Sequence, residues 1–407
     1  KFIGIGGERM KAEGFESLYD QEKLAVRGFV EVVKRLPEIL KIRKGIVLVT
    51  TSYPRSGDGS EAAGGFVFDL AGELSCRCPV RVVAPADHSG VYTDSNGAKV
   101  YAYRSPRKPL STLNPLMPID TWRIWSVLNA GREATMLAAT SQPTSHILAL
   151  WVLPSGYWAK AVSAKTGIPY STWALGSDIW TLARLPIVRK QLTNVLRTAT
   201  KCYADGIGLA ADTSRIGMRG VDFLPTARSL PVRSTRLVRR KPPYRLTFLG
   251  RWHPNKGIDL LLDALDRLQP SSWEKVEEVV ICGGGPMARL VHGGVARMAK
   301  AGRPVSMTGY LDKKAALERL DVTDYLLLPS RVESIPVVFS DALKRSCALI
   351  STPVGDMPAF LEGAESCGVV ADSVSAVAFA KAIEGALDNA PADFIFGIEQ
   401  TRIQFEP

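Results

Sequence analysis

Histidine and cysteine are scarce in this chain of 407 residues, which contains 4 histidines and 6 cysteines. Six cysteines over such a length are too few for a disulfide scaffold, and they suit a reducing cytoplasm. Cys76 and Cys78 have no matching second pair of ligands, so a zinc site is not predicted. We expect neither a metal ion nor an organic cofactor.

Long apolar runs are also missing. No stretch approaches the roughly 20 apolar residues that cross a bilayer, and the first residues, KFIGIGG, have no signal-peptide layout. We therefore expect a cytoplasmic location, with peripheral attachment to the inner face of the plasma membrane as an open alternative.

The composition is that of a globular protein. Hydrophobic residues make up 46% of the chain and charged residues 22%, which excludes a disordered chain, a collagen repeat and a coiled coil. At roughly 150 residues per domain, the length predicts two substantial domains and a remainder.

The positive charge is concentrated in one stretch. The whole chain has a net charge of +11, and residues 184–245 contain 14 Lys or Arg against 3 Asp. This stretch is a solvated face, a docking surface for an anionic membrane or acceptor, or a nucleic-acid site. Its only aromatic residues are Tyr203, Phe223 and Tyr244, too few to stack bases along the basic run, so we expect no nucleic-acid partner.

The order of apolar segments predicts an α/β protein with two Rossmann-like domains. Residues 1–43 form an N-terminal extension, with an apolar helical face from Leu24 to Leu40. From residue 44, a strand, a glycine-rich loop, a helix and a strand open a doubly wound parallel sheet. We place the first domain at 44–235 and the second at 236–407, joined by a linker rich in Pro and Arg at 229–243.

A cationic turn follows the first strand of the second domain. The segment GRWHPNKGID puts Arg251 and Lys256 beside a helix that starts near Gly257. A guanidinium, an ammonium and free backbone N–H groups in one crevice would hold a diphosphate. The alternative is a surface turn with two solvated cations.

Two acidic residues occur about 80 residues further on. Glu333 follows an apolar strand, and Asp341 lies eight residues later, in the next helix. Carboxylates at these places could bind sugar hydroxyls, one on a transferred sugar and one on a nucleotide ribose. Glu333 and Asp341 also follow the cationic turn in an order that brings all these groups to the ends of successive parallel strands.

With these motifs in place, residues 44 to about 390 resemble nucleotide-sugar glycosyltransferases of the GT-B fold. The second domain resembles family 4 (group 1) of the retaining enzymes. The segments that carry the resemblance are GRWHPNKGIDLLLDAL, CGGGP, TGYLDKKAAL, LLLPSRVESIPVVFSDAL and STPVGDMP.

The resemblance implies a role for each matching position. Arg251 and Lys256 would hold the donor diphosphate, Glu333 the donor sugar and Asp341 the ribose. The remaining matched positions would contact the donor or approach the acceptor. Those at the donor are Gly64, Gly65, Gly284, Tyr310, Ser334, Ile335 and Pro336, and those near the sugar and acceptor are Ser177 and Asp178.

The chain departs from the family pattern at three positions. Asp341 replaces the usual Glu and is one methylene shorter, and Leu150 and Leu175 stand where many members have histidine. We therefore assign no catalytic histidine. Asp178 is the polar candidate nearby, and an N-cap for the following helix is an equal alternative.

The implied activity is that of a metal-independent retaining hexosyltransferase. It would move a hexose from UDP or GDP to a cell-envelope, exopolysaccharide or lipid-linked acceptor, with the acceptor hydroxyl attacking from the face that the diphosphate leaves. A non-catalytic nucleotide-sugar-binding protein is the alternative from another class, because the family histidines are absent.

Residues 1–43 resemble a different family. The segment FIGIGGERMKAEGFESLYDQEKLAVRGFVEVVKRLPEILKIRK is similar to an internal part of lipid-A-disaccharide synthase, another GT-B enzyme. It lacks that family's opening glycine-acid loop, so no catalytic residue is transferred with it. The segment is either a fused or wrongly joined fragment or a membrane-docking helix, and lipid-A-disaccharide synthesis is a further alternative function.

Overall fold

The computed structural model describes residues 44–54, 60–106, 117–232, 237–363 and 365–405. The N-terminal extension, residues 1–43, lies outside the described residues, so its predicted helix and apolar face stay predictions.

The first domain is built on an eight-stranded sheet with the strand order β3-β4-β2-β1-β5-β6-β7-β8. All neighbouring strands pair in parallel except β3, which runs antiparallel to β4. The strands are β1 (Gly45–Val49), β2 (Val80–Ala86), β3 (Gly90–Thr93), β4 (Lys99–Arg104), β5 (Thr144–Leu150), β6 (Tyr170–Ala174), β7 (Cys202–Ala204) and β8 (Asp222–Phe223).

Helices cover both faces of this sheet, as buried apolar strands require. One face packs under the long helix and its two neighbours through Val127, Trp158 and Leu192, and the other face packs on Phe66 and Val67. The helices are α1 (Ser60–Ser75), α2 (Pro118–Thr140), α3 (Ser155–Thr166), α4 (Ser177–Trp180), α5 (Pro186–Thr198) and α6 (Ile207–Gly217).

The second domain has a six-stranded, fully parallel sheet in the order β11-β10-β9-β12-β13-β14. Its strands are β9 (Tyr244–Arg251), β10 (Val276–Gly284), β11 (Val305–Thr308), β12 (Tyr325–Leu328), β13 (Ala348–Ser351) and β14 (Gly368–Val370). Its helices are α7 (Ile258–Arg267), α8 (Pro270–Trp273), α9 (Ala288–Lys300), α10 (Lys313–Val322), α11 (Val337–Lys344), α12 (Met357–Leu361), α13 (Ala376–Leu387) and α14 (Ile395–Arg402).

The predicted two-sheet α/β architecture is confirmed. The strands of one sheet lie between residues 45 and 223 and those of the other between 244 and 370. The exact domain bounds drawn from the sequence stay a proposal. Among the described residues, no helix is both long and apolar enough to cross a bilayer.

The prediction of a glycine-rich loop before the first helix is wrong at its two key positions. Gly64 and Gly65 lie within α1, because the helix already begins at Ser60. Other elements were not predicted, among them the β3–β4 hairpin and α2. The hairpin strand β3 is exposed along its whole length. It therefore lacks the alternation of buried and exposed residues by which a strand is predicted from sequence.

Gly131 of α2 gives a test of how tightly this helix packs. A Cβ at Gly131 would lie 2.4 Å from the ring of Trp158, which is fully buried. We expect Gly131→Ala to lower the free energy of unfolding by about 1–3 kcal/mol through overpacking. The control is Gly293→Ala in α9, where a Cβ meets open space and should stabilise by about 0.5–1 kcal/mol. Urea unfolding of the two variants checks this, and a gain in both would contradict the packing.

Candidate active site

A cleft with a volume of about 610 Å³ lies between the two domains. In both sheets the cleft residues follow the carboxyl ends of parallel strands, where such sheets bind ligands. The first domain contributes an apolar wall that includes Phe66, Trp151 and Leu175, and the second contributes most of the charged groups. The site residues predicted from the sequence that line this cleft are Gly65, Arg251, Lys256, Tyr310, Glu333, Ile335 and Asp341.

The cationic turn lies at the end of β9, as predicted. Arg251 is the last residue of the strand, and Lys256 ends a 3-10 turn at Pro254–Lys256. Gly257 follows with a φ of 64°, and a Cβ there would lie 1.8 Å from the carbonyl oxygen of Pro329. Glycine is therefore required for the turn to press against the end of β12. The guanidinium of Arg251 makes no hydrogen bond or ion pair within the described part of the chain and lines the cleft.

Lys256 and Glu333 form an ion pair within the cleft. The lysine Nζ donates to Glu333 Oε1, and both side chains are partly exposed. Burial lowers the pKa of Lys256 to about 8, and the neighbouring Arg251 cation lowers it further in the same direction. The contacting carboxylate favours the charged ammonium. Glu333 lies five residues beyond the end of β12, in the loop before α11.

Asp341 is deeply buried and faces Arg228, a residue outside every predicted site. The Arg228 guanidinium donates to Asp341 Oδ2 at 3.3 Å, and Asp341 Oδ1 has no hydrogen-bond partner among the described residues. Burial raises the pKa of Asp341 to about 6 against the opposing effect of Arg228. One oxygen of this carboxylate is thus held by arginine, and the other is buried without a partner among the described residues.

An ion-pair network joins the domains beside Asp341. Asp69 of α1 accepts from Lys313 Nζ of α10 at 2.9 Å, and its Oδ2 lies 3.9 Å from Arg228 Nε. Lys344 Nζ of α11 donates to the Arg228 carbonyl oxygen at 2.6 Å. The side chain and the backbone of Arg228 are therefore both bonded to α11, the helix that carries Asp341.

A second junction lies at the end of β7. Ser334 Oγ of the second domain donates to Asp205 Oδ1 of the first. The Asp356 carboxylate of the second domain accepts from the backbone N–H groups of Ile207, at 2.5 Å, and Gly208, at 3.0 Å, at the start of α6. A carboxylate at a helix N-terminus is favoured by the helix dipole. Burial, together with Asp178 and Asp356 nearby, raises the pKa of Asp205 to about 8 against the Ser334 hydrogen bond.

Tyr310 and Gly284 form one unit at the cleft wall. The Tyr310 hydroxyl donates to the Gly284 carbonyl oxygen at 2.7 Å, and a Cβ at Gly284 would lie 2.7 Å from the tyrosine ring. Glycine is thus needed for the ring to pack here. Tyr310 lines the cleft and Gly284 supports it from behind.

The expectation that the first turn of α7 points free N–H groups into the crevice needs correction. Asp259 lies in that turn, where its carboxylate accepts two hydrogen bonds from Arg331, and the described residues that line the cleft include none from this turn. The helix that begins at the cleft instead is α11, where Pro336 is the N-cap and Val337 and Val338 line the cleft. The N–H groups of Val337 and Val338 begin this helix without intrahelical partners, whereas the Phe339 N–H donates to the Pro336 carbonyl oxygen at 2.8 Å.

The carboxylate of Asp178 is occupied by hydrogen bonds within the protein rather than open to a ligand. It accepts from the backbone N–H groups of Val152 at 2.7 Å, Leu175 at 3.3 Å and Ile179 at 3.2 Å. Burial raises its pKa to about 6 against these hydrogen bonds. Asp178 therefore joins two loops at the cleft edge, and it lies inside α4 rather than at its N-cap. Ser177 opens the same helix.

The two leucines at the family's histidine positions differ in location. Leu150 is fully buried at the end of β5, whereas Leu175 lines the cleft. In the described residues, no group of three His, Cys, Asp or Glu side chains is placed to hold a metal ion.

Sequence reasoning missed Asp69, Asp205, Arg228, Lys313 and Asp356. Asp205 directly follows β7, so its place at a carboxyl end was a usable signal. The pairing of Asp69 with Lys313 spans 244 positions, and no local pattern encodes it.

The fold of the described chain is that of the GT-B class, in which two Rossmann-like domains face each other across a cleft. A solved sucrose-phosphate synthase from Thermosynechococcus elongatus superposes with a TM-score of 0.67 at 16% identity, covering 89% of this chain and 95% of that one. Anabaena Alr3699/HepE in complex with UDP-glucose superposes with a TM-score of 0.62 at 14% identity, covering 89% and 95%.

The family of the second domain is identified by its sequence. Residues 243–389 match the family described as Glycosyl transferases group 1. The described chain therefore has the GT-B fold, and its second domain matches a glycosyltransferase family. The resemblance found in the sequence is thereby confirmed.

The N-terminus matches a second family. Residues 1–55 match the family described as Lipid-A-disaccharide synthetase. A lipid-A-disaccharide synthase of Neisseria meningitidis serogroup A is 83% identical over 47 residues, which is 12% of this chain and 12% of that enzyme. The similarity to these curated relatives thus spans about an eighth of their length.

The raised pKa of the buried Asp205 predicts how the stability of the protein depends on pH. Between about pH 4 and pH 8 the folded state keeps a proton that the unfolded chain releases, so the free energy of unfolding falls as pH rises through this window. Asp205→Asn can still accept from Ser334 but does not titrate. We expect its urea midpoint to fall less than that of the wild type between pH 5 and pH 8. The exposed Asp388→Asn is the control, and identical pH slopes for Asp205→Asn and wild type would contradict the assignment.

Proposed function

We propose that this protein is a retaining, metal-independent hexosyltransferase of family 4 that uses a nucleoside diphosphate sugar, UDP-linked or GDP-linked, as its donor. The observation that carries the proposal is the convergence of Arg251, Lys256, Glu333 and Asp341 on one cleft between the two domains. A surface turn with two solvated cations would not place its charges opposite a carboxylate in a cleft.

The diphosphate is assigned to the cationic end of the cleft. Arg251 offers a planar guanidinium that has no partner among the described residues, and Lys256 exchanges its contact with Glu333 for a phosphate oxygen. The N–H groups of Val337 and Val338, which line the cleft at the start of α11, add two further donors. As the anomeric C–O bond breaks, negative charge grows on the diphosphate, and each well-placed donor stabilises it by about 3–4 kcal/mol.

The sugar and the ribose are assigned to the two carboxylates. When Lys256 turns to phosphate, Glu333 is free to accept hydroxyl groups of the donor sugar. Asp341 Oδ1 and Thr226 Oγ1 are buried and unpaired among the described residues, so they can bond to ribose hydroxyls. Tyr310, held by Gly284, forms the wall for the base.

The acceptor is proposed to be a cell-envelope or exopolysaccharide precursor, lipid-linked, at the inner face of the plasma membrane. The apolar wall of the first domain at Phe66, Trp151 and Leu175 suits an acceptor with an apolar part. The acceptor hydroxyl attacks the anomeric carbon from the face that the diphosphate leaves, which retains configuration. The proton of that hydroxyl leaves with the diphosphate.

Lipid-A-disaccharide synthesis is a second candidate because of the N-terminal match. The match ends at residue 55, whereas the cleft is lined by residues from Pro54 to Asp341. A chain that lacks residues 1–43 and still transfers sugar would remove this candidate.

Glu333→Ala separates catalysis from binding. We expect transfer from the preferred UDP-sugar or GDP-sugar to fall on the order of 100-fold, because the sugar loses its orienting acid. UDP or GDP alone should bind as well or better, since Lys256 is released to phosphate. Transfer rates and calorimetric titration check the two expectations.

The exposed Glu362→Ala is the matched control and should leave both quantities unchanged. Equal background activity in wild type and Glu333→Ala, with nucleotide binding intact, would favour a non-catalytic nucleotide-sugar-binding protein.

The lowered pKa of Lys256 predicts that nucleotide affinity depends on pH. The ammonium is present below about pH 8 and is lost above it, while a terminal phosphate with a pKa near 6 is already ionised. Burial lowers the pKa of His253 below 6.5, so this residue stays neutral in the same range. We expect the Kd of UDP to rise up to about tenfold between pH 7 and pH 9. Lys256→Arg, whose charge is permanent, should show a flat profile, and a flat wild-type profile would contradict the assignment.

A further inference from the structure

Helix α2 presents large apolar side chains to solvent at its start. Met117 precedes the helix, and Ile119, Trp122 and Trp125 follow at intervals of three residues along one side. All four are more than half exposed, with the tryptophans at 62% and 64%. Tryptophans with this much of their surface in water are costly, and two on adjacent turns mark an interaction surface.

The neighbouring helices α3 and α5 add to this surface from the same edge of the sheet. Each of the three helices starts after a parallel strand and returns to the beginning of the next one, so their N-terminal ends share the carboxyl edge. Tyr157 in the first turn of α3, and Leu185 and Ile187 at the start of α5, are exposed. The three helices lie side by side over one face of the sheet. We call these N-terminal ends, residues 117–125, 155–160 and 180–190, the apolar rim.

The charges on the apolar rim are almost all positive. Arg184, Arg189 and Lys190 are exposed around Ile187, and Arg123 lies between the two tryptophans. The only acid in the three runs is Asp120, which is buried and paired with Arg123. Aromatic side chains flanked by arginine and lysine match the interface of an anionic bilayer, where rings enter the headgroup layer and cations meet phosphate.

We propose that the apolar rim docks the protein on an anionic lipid bilayer. Each side chain enters the headgroup region only partly, as in interfacial helices that lie on a membrane. The rim shares the carboxyl edge of the first sheet with the cleft, so a docked molecule turns its acceptor side toward the bilayer. The docking proposal deepens the proposed function, and it rests on that function because it assumes a lipid-linked acceptor.

Vesicle sedimentation of the full chain tests the docking without any sugar donor. We expect the wild type to partition to vesicles of phosphatidylcholine with phosphatidylglycerol, weakly to phosphatidylcholine alone, and less at high salt. The double variant W122A/W125A should lose about tenfold or more in partitioning, because two interfacial aromatic rings are removed. The variant R189Q/K190Q should lose affinity for the anionic vesicles only.

The control is Phe396→Ala, which removes an aromatic ring that is 59% exposed on α14 of the second domain and should not change partitioning. Urea midpoints of all variants should equal that of the wild type, since the altered side chains are exposed. The proposal is overturned if the wild type does not bind anionic vesicles, or if W122A/W125A binds them as well as the wild type does. Either result is expected if the apolar rim is covered by another protein or by another part of this chain. Membrane binding without sugar transfer would leave the docking intact and contradict the proposed enzyme activity instead.

Discussion

The cleft depends on a constraint of parallel sheets: all strands of a sheet end at the same edge. In both domains the residues after these ends face the gap, so groups far apart in sequence share one volume. Arg251 ends β9, Glu333 and Asp341 follow β12, and all three line the same cleft. The catalytic proposal thus rests on topology before it rests on any single contact.

Charge balance then organises the cleft. Asp69 and Asp341 are both close to Arg228, and Lys313 adds a second cation to Asp69. Lys256 and Glu333 neutralise each other on the opposite side. A buried ion is costly unless it is paired, so each charge in the cleft either has a protein partner or lies where a charged ligand can reach it. Arg251, exposed at the cleft, is of the second kind.

The cost of unpaired buried charge also explains the junction around Asp205. Burial raises the pKa of Asp205, and the neighbouring carboxylates of Asp178 and Asp356 raise it further. Asp178 and Asp356 are stabilised by backbone N–H donors. Asp205 has instead a hydroxyl donor from the opposite domain. The two domains therefore meet through groups that are sensitive to protonation as well as to position.

The sequence by itself determined the alternation of strands and helices, the two-sheet class and the motif residues Arg251, Lys256, Glu333 and Asp341, because apolar periodicity and turn chemistry are local properties. Only the tertiary structure decided what these residues contact. It placed Gly64 and Gly65 in α1 rather than in a loop, paired Asp259 of α7 with Arg331, and placed Arg228 against Asp341. The two pairings join residues 72 and 113 positions apart, and they follow from packing and charge balance that no local window of the chain contains.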